Sequence, residues 1–156
     1  MDKEGRGDMV KSSYDAIIIG KSAGGLTAAT VAKKMYPEKD MLVIDSEKIS
    51  MIPCGIPYIF GTLDTIDDNR LPAEKALEAS GIDLLIDEAT EVGLDCKTVF
   101  TKGGKAIRFD KLILATGSRP MLPKVPGCHL ENVLTVPKSY EYLAKIHSSS
   151  GVTCCI

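Results

Sequence analysis

Between Tyr14 and Asp45 the chain reads YDAIIIGKSAGGLTAATVAKKMYPEKDMLVID: two short apolar runs, glycines after the first, and a helix-forming stretch between them. Ile17 to Ile19 is a continuous β-branched run and Met41 to Ile44 a second apolar one, the pattern of strands buried on both faces. A parallel strand pair needs a crossover, and a helix supplies it. That helix is expected from about Gly24 to Tyr36, with Pro37 helping to stop it. The segment is a βαβ unit, so the fold class is α/β with a central parallel sheet.

From Gly20 the spacing is Gly20-x-Ser22-x-x-Gly25, a variant of the dinucleotide fingerprint with Ser at the middle glycine. A pyrophosphate seated at a helix N-terminus needs backbone N–H groups at close range. Gly20 allows the turn, Ser22 is small enough to keep the approach open, and Gly25 lets the helix pack tightly on its strand. Asp45 follows Gly25 by 20 residues, the spacing of a carboxylate that accepts from ribose hydroxyls. Nucleotide binding is therefore expected.

Further along, PAEKALEAS before Gly81 reads as a short helix, IDLLIDEATEV as mostly extended, and KTVFTKGGKAIRF as a hairpin turning at Gly103 and Gly104. Leu112 to Ala115 reads as a further buried strand, PKSYEYLAKIH as a helix, SSSG as a linker and VTCCI as a strand. The start, MDKEGRGDMVKSS, reads as a disordered tail. Acids and bases are interspersed and the formal net charge is −2, which points to no nucleic-acid or membrane-surface partner. No apolar run approaches the ~20 residues of a membrane span, and a cytoplasmic location is expected. The charges in PEKD and PAEK are expected to be solvated.

The five cysteines show no CxxC spacing, so no metal site is expected. Cys96, Cys128, Cys154 and Cys155 are expected to be small buried residues. Cys54 differs. In PCGIPY, Pro53 and Pro57 fix φ and Gly55 lets the backbone come close to a flat or bulky partner, so the segment holds a sulfur in place.

Taken together, IIIGKSAGG, VID, PCGIPY, DKLILATGSRP and VPGCHLENVLTV resemble the single-cysteine branch of the pyridine nucleotide-disulfide oxidoreductases. That branch includes coenzyme A-disulfide reductases, NADH oxidases and peroxidases, and persulfide reductases. The resemblance runs from about Tyr14 to Ile156. It implies a Rossmann-like FAD-binding domain with a small antiparallel hairpin or meander, over residues 14–150. Residues 1–13 would be the tail, and 151–156 the first strand of an NAD(P)-binding domain before which the chain stops.

The resemblance also implies roles for particular residues. Gly20, Ser22, Ala23, Gly24 and Gly25 would lie along the FAD pyrophosphate. Asp45 would bind the adenosine ribose, where Glu is the usual occupant, with Ser46 and Lys48 in the segment lining the nucleotide. The Val92 backbone would face the adenine. Ala115, Thr116 and Gly117 would form a second flavin-contacting turn, with Arg119 close by. Cys54, after Pro53, would be the redox-active thiol beside the isoalloxazine ring.

With no second cysteine four or five residues from Cys54, an internal disulfide of the glutathione-reductase kind is excluded. Cys54 must pair with a substrate sulfur or cycle through sulfenic acid. Oxidase and peroxidase members carry a His in the first glycine turn, where this chain has Ala23, which favours a small-molecule disulfide or persulfide over peroxide or dioxygen. NAD(P)H would be the electron donor and a homodimer the state of the complete protein. Two alternatives stay open: an NADH oxidase or ferredoxin- or rubredoxin-type reductase, and a non-catalytic nucleotide-binding fragment.

Overall fold

A computed structural model describes residues 10–131 and 133–148. In chain order the elements begin with β1 (Ser13–Ile19), α1 (Ala23–Met35), β2 (Met41–Asp45), β3 (Ser50–Met51) and, after a 3-10 turn at Pro53–Gly55, α2 (Ile56–Ile59). A second 3-10 turn at Ile66–Asn69 leads into β4 (Arg70–Leu71), α3 (Ala73–Ala79), β5 (Asp83–Ile86) and β6 (Ala89–Gly93). The last elements are β7 (Thr98–Thr101), β8 (Ala106–Leu114) and α4 (Tyr140–Ser148). The expected SSSG linker, apart from Ser148, and the VTCCI strand lie outside the described residues. The elements form two compact units, the first drawn from residues up to Lys48 and from Pro72–Thr116, the second from Ile49–Leu71 and from Gly117 onward.

The first unit carries a six-stranded sheet in the order β5-β2-β1-β8-β7-β6. β5, β2, β1 and β8 run parallel, whereas β7 is antiparallel to both β8 and β6. Ile17 stands beside Leu42 on one side and Leu112 on the other. The twofold period of a strand then sends alternate residues to opposite faces. Ile17, Ile19, Leu42 and Ile44 join Tyr14, Val99 and Phe109 in one cluster. Ile18, Met41 and Val43 join Ala29 of α1 and Leu77 of α3 in another. Ile17, Ile18, Leu42, Val43 and Ile44 are wholly buried, each worth about 1.5–3 kcal/mol of apolar burial. The continuous apolar runs are thus continuous because both faces of the parallel strands are covered.

Two expectations are corrected in this unit. Val10 to Ser13, assigned from the sequence to a disordered tail, belong to the fold. Val10 packs on the first cluster, the Lys11 amide donates to the Tyr14 hydroxyl at 3.0 Å, and Ser13 opens β1. The polar composition that reads as a tail hides one valine and one strand residue. The hairpin arm ending at Phe109 and the supposed separate strand Leu112–Ala115 are a single nine-residue strand, β8. Its far half is also less buried than expected, with Leu112 and Ile113 half-buried and Leu114 exposed. β8 has its backbone paired on both edges, by β1 and β7, and Ile113 packs against the second cluster while Leu114 stays exposed.

In the second unit β3 and β4 form a two-stranded antiparallel sheet. Met51, Ile56, Ile59 and Leu143 make its core, bringing α4 onto the α2 segment. The Arg70 guanidinium lies 4.7 Å from the Tyr140 ring centre and is 2.7 Å from Asp67, while the Tyr140 hydroxyl donates to Asp67 at 2.6 Å. These three side chains bracket the start of α4 to the turn before β4.

Candidate functional site

The first glycine turn is assembled at the C-terminal end of β1. The Gly20 amide donates to the Ile44 carbonyl at 2.8 Å, and the Gly20 φ of 106° is one that a side chain would strain. A Cβ on Gly25 would collide with the Gly20 carbonyl, and one on Gly20 with the Ala115 carbonyl. These contacts let α1 rest against the strand ends. The Ala115 amide donates to Ile19 at 2.8 Å, which seats the turn after β8 beside the turn after β1. Gly20, Gly25 and Ala115 are therefore brought together.

Ser22 is the N-cap of α1, but its side chain makes no capping hydrogen bond, and no acidic residue occupies the first turn. A Cβ at Gly24 would meet nothing within 4 Å. The N-terminus of this 13-residue helix thus carries its positive end with no side-chain cap and no first-turn acid, and the space over Gly24 is open. That donor set fits a pyrophosphate.

Asp45 ends β2 and is tied at both oxygens. Oδ2 accepts from the Lys21 amide at 2.6 Å and Oδ1 from the Glu47 amide at 2.7 Å. Each carboxylate oxygen has a second lone-pair direction, so the group can hold its loop and still accept from ribose hydroxyls. Ser46 and Lys48 are exposed on the same loop.

Lys21 was not legible as a site residue. Its side chain is wholly buried, with Nζ donating to the Glu47 carbonyl, donating to the Lys48 carbonyl at 3.1 Å, and standing 3.1 Å from Glu74 Oε1. The reading of PAEK as a solvated face needs one correction: Lys75 is exposed, but Glu74, partly exposed on the first turn of α3, answers a buried ammonium. The only available signal was a basic residue at the free position of a glycine fingerprint.

Val92 is half-buried in β6, against the cluster of Tyr14 and Ile17, and separated from β1 by β8 and β7 in sheet order. Thr116 is exposed. In the second unit Gly117 has φ 74°, and both it and Arg119 are exposed.

Cys54 is the middle residue of the 3-10 turn Pro53–Gly55, with its side chain exposed. The Gly55 amide donates to the Ile52 carbonyl at 3.0 Å. Asn69, only 2% exposed, donates from Nδ2 to that same carbonyl at 3.0 Å, while its backbone carbonyl accepts from the Ile52 amide at 3.0 Å. A Cβ on Gly55 would strike the Asn69 side chain. Asn69 is the second residue missed from the sequence, and it is the brace under the cysteine turn. Cys96 corrects another expectation. It is exposed, on a turn where Lys97 has φ 48°, and its thiol donates to the Gly93 carbonyl at 3.5 Å. Cys128 is half-buried.

A groove of about 1130 Å³ lined by Ser12, Tyr14, Cys96, Lys97, Arg108 and Asp110 opens in the first unit. It lies at the start of β1, whereas the glycine turn follows the end of that strand, so it is not part of the candidate nucleotide site.

Comparison with known proteins matches residues 14–150 to the pyridine nucleotide-disulphide oxidoreductase family. Over 132 residues the chain is 36% identical to an NAD(P)H coenzyme A polysulfide/persulfide reductase of Pyrococcus horikoshii, covering 82% of this chain and 30% of that one. It is also 36% identical over 131 residues to an NADH oxidase of Methanocaldococcus jannaschii, covering 78% and 29%. Among solved structures, a NAD-dependent persulfide reductase from A. fulgidus superposes with a TM-score of 0.71 at 31% identity, covering 84% of this chain and 26% of that one. The chain spans about 30% of the length of the curated relatives it matches.

Proposed function

Because this chain belongs to the pyridine nucleotide-disulphide oxidoreductases, we propose that it is the FAD-binding portion of an NAD(P)H-dependent reductase of disulfides or persulfides that uses Cys54 as its single redox thiol. The observation that carries this reading is the uncapped, acid-free N-terminus of α1, set between glycines that a Cβ would close and an aspartate anchored across the turn. The backbone N–H groups of Ala23, Gly24 and Gly25 would hold the pyrophosphate, with Ser22 leaving them accessible. Asp45 would accept from the adenosine ribose, and Ser46 and Lys48 would line the same end. Val92 would meet the adenine through its backbone. Ala115, Thr116, Gly117 and Arg119 would serve the flavin end, and Pro53 would fix the approach of the cysteine turn. Bound FAD would supply two-electron transfer between pyridine nucleotide and sulfur.

Cys54 acts as the nucleophile. Its thiolate attacks one sulfur of a substrate disulfide, a bond forms between Cys54 Sγ and that sulfur, and the other sulfur leaves as a thiolate. Two electrons, originating in NAD(P)H, then cleave the mixed disulfide, releasing the bound substrate sulfur as a second thiolate and restoring the Cys54 thiolate. Exposure of Cys54 on a braced turn supports this role, since a substrate sulfur must reach it. The names of the relatives support small sulfur compounds, coenzyme A persulfides and polysulfides among them, as the substrate class. A homodimer in the cytoplasm is the proposed setting of the complete protein. Among the described residues no helix is long and apolar enough to cross a membrane.

The second reading is an NADH oxidase, favoured by the 36% identity to the protein so named in Methanocaldococcus jannaschii. Ala23 in the first glycine turn, in place of the histidine of oxidase members, supports the sulfur substrate instead. The test compares Cys54→Ser with Cys96→Ser in the polypeptide as the cell makes it. Flavin absorbance should persist in both, and NAD(P)H-dependent disulfide reduction should vanish only in the first. Sulfur reduction that survives Cys54→Ser would sink the thiol mechanism, and a wild-type protein that takes up no FAD would sink the cofactor assignment.

A further inference from the structure

Lys21 is wholly buried among the described residues, and no step proposed for Cys54 uses it. A buried ammonium survives only where its donors are satisfied and its charge is answered. A dinucleotide turn asks for small residues that let the backbone approach the phosphates, not for a long cation between its first glycine and the next small residue. The reason for a lysine lies in what it touches.

The ammonium donates to the carbonyls of Glu47 and Lys48, and Glu74 Oε1 stands 3.1 Å away on the first turn of α3. The backbone amide of the same residue donates to Asp45 Oδ2 at 2.6 Å. One residue thus grips the loop after β2 twice, by its amide at the carboxylate and by its side chain at the two carbonyls that follow. Glu74 adds the neutralising charge and ties the arrangement to a third element. Since the ammonium is sealed from solvent, it does not itself touch a ligand bound at the helix N-terminus.

We propose that Lys21 is a positioning residue for the FAD site, locking the Asp45–Lys48 loop onto the glycine turn so that the Asp45 carboxylate is presented before the cofactor arrives. This rests on the reading of that site as an FAD site. The gain is preorganisation: a loop already ordered in the free chain costs the ligand less to bind. Lys21 then acts through Asp45, and the two residues must be energetically coupled.

The experiment measures FAD affinity by quenching of flavin fluorescence, in the polypeptide as the cell makes it, for Lys21→Met and Glu74→Gln, each with Asp45 intact and with Asp45→Ala. Amide exchange of Glu47 in the FAD-free protein is followed alongside. With Asp45 intact, Lys21→Met should weaken FAD binding roughly tenfold or more, the scale of lost charged hydrogen bonds. With Asp45→Ala already present, the same change should cost only a small fraction of that factor, and the Glu47 amide should exchange faster in Lys21→Met. Glu74→Gln keeps the shape of the pair and both carbonyl contacts, so it should fold even if Lys21→Met does not. It should show a smaller loss with the same dependence on Asp45. Unchanged affinity, or an equal loss with and without Asp45, overturns the positioning role while leaving the FAD reading intact. A wild-type protein that binds no FAD overturns both, and is told apart by the parent measurement alone.

Discussion

Alanine at Gly24 and alanine at Gly25 should have opposite consequences, although the two glycines are neighbours in the first turn of one helix. At Gly25 an added Cβ overlaps the Gly20 carbonyl, which is backbone of a residue held by its N–H hydrogen bond to the Ile44 carbonyl and cannot step aside as a side chain would. α1 must therefore move off β1. Overpacking of this kind costs typically 1–3 kcal/mol, and a backbone obstacle puts it at the upper end, about 3 kcal/mol. Alanine returns about 1 kcal/mol of helix propensity, leaving a net loss of about 2 kcal/mol. For a domain of this size that is a fall of roughly 5–10 °C in Tm. At Gly24 nothing lies within 4 Å of the new Cβ, so only the propensity gain applies, up to about 1 kcal/mol in the stabilising direction. Urea denaturation of both FAD-free variants beside the wild type reads the difference directly. Should Gly25→Ala prove as stable as the wild type, or Gly24→Ala lose stability comparably, the close packing of α1 on the glycine turn is not what the geometry says it is.

Other outcomes follow from single residues. Burial pushes the Tyr14 phenol up from 10.0 to about 12, helped by its hydrogen bond to Asp83. The folded state therefore keeps a proton that the unfolded chain has lost, so this contribution is complete below about pH 10 and disappears as pH rises to about 12. Discounted for solvent screening, it amounts to at most about 2–3 kcal/mol at 1.36 kcal/mol per unit, and Tyr14→Phe should flatten that part of an alkaline unfolding curve. Asn69→Ala should cost about 0.5–1.5 kcal/mol by removing one of the two donors to the Ile52 carbonyl, which keeps the Gly55 amide. It should also change the rate at which iodoacetamide labels Cys54, measured by mass mapping; an unchanged rate would mean that Asn69 does not brace the cysteine turn. Asp45→Ala should weaken FAD binding by roughly 1–3 kcal/mol and leave the purified protein poorer in flavin. Full flavin content would remove Asp45 from the site.

Much of the first unit was legible along the chain because its physics is local. A β-branched run, a glycine that must take φ 106°, a helix stopped near a proline, and an acid at the end of the second strand are each written within a few residues. The hairpin at Gly103 and Gly104 and the short helix after Pro72 were legible for the same reason. The exposure of Cys96 and the unity of β8 were not. Each depends on which neighbours cover a side chain or continue a ladder, and a strand reads alike whether its pairing continues or changes partner.

Charged and polar residues mark the sharpest division. Composition places Lys, Glu and Asn at the surface unless something pairs with them. Lys21 meets its carbonyls 26 and 27 residues away, and Asn69 meets Ile52 at a separation of 17, so nothing near either residue announces the partner. Asp45 shows both sides of the division at once. Its spacing from the glycines made it a candidate nucleotide ligand, but only the folded chain put its oxygens on the amides of Lys21 and Glu47. Periodicity and turn chemistry are set by bonded neighbours and can be read from them. Burial of a charge is set by whichever groups the fold brings within about 3 Å, and that is a property of three dimensions.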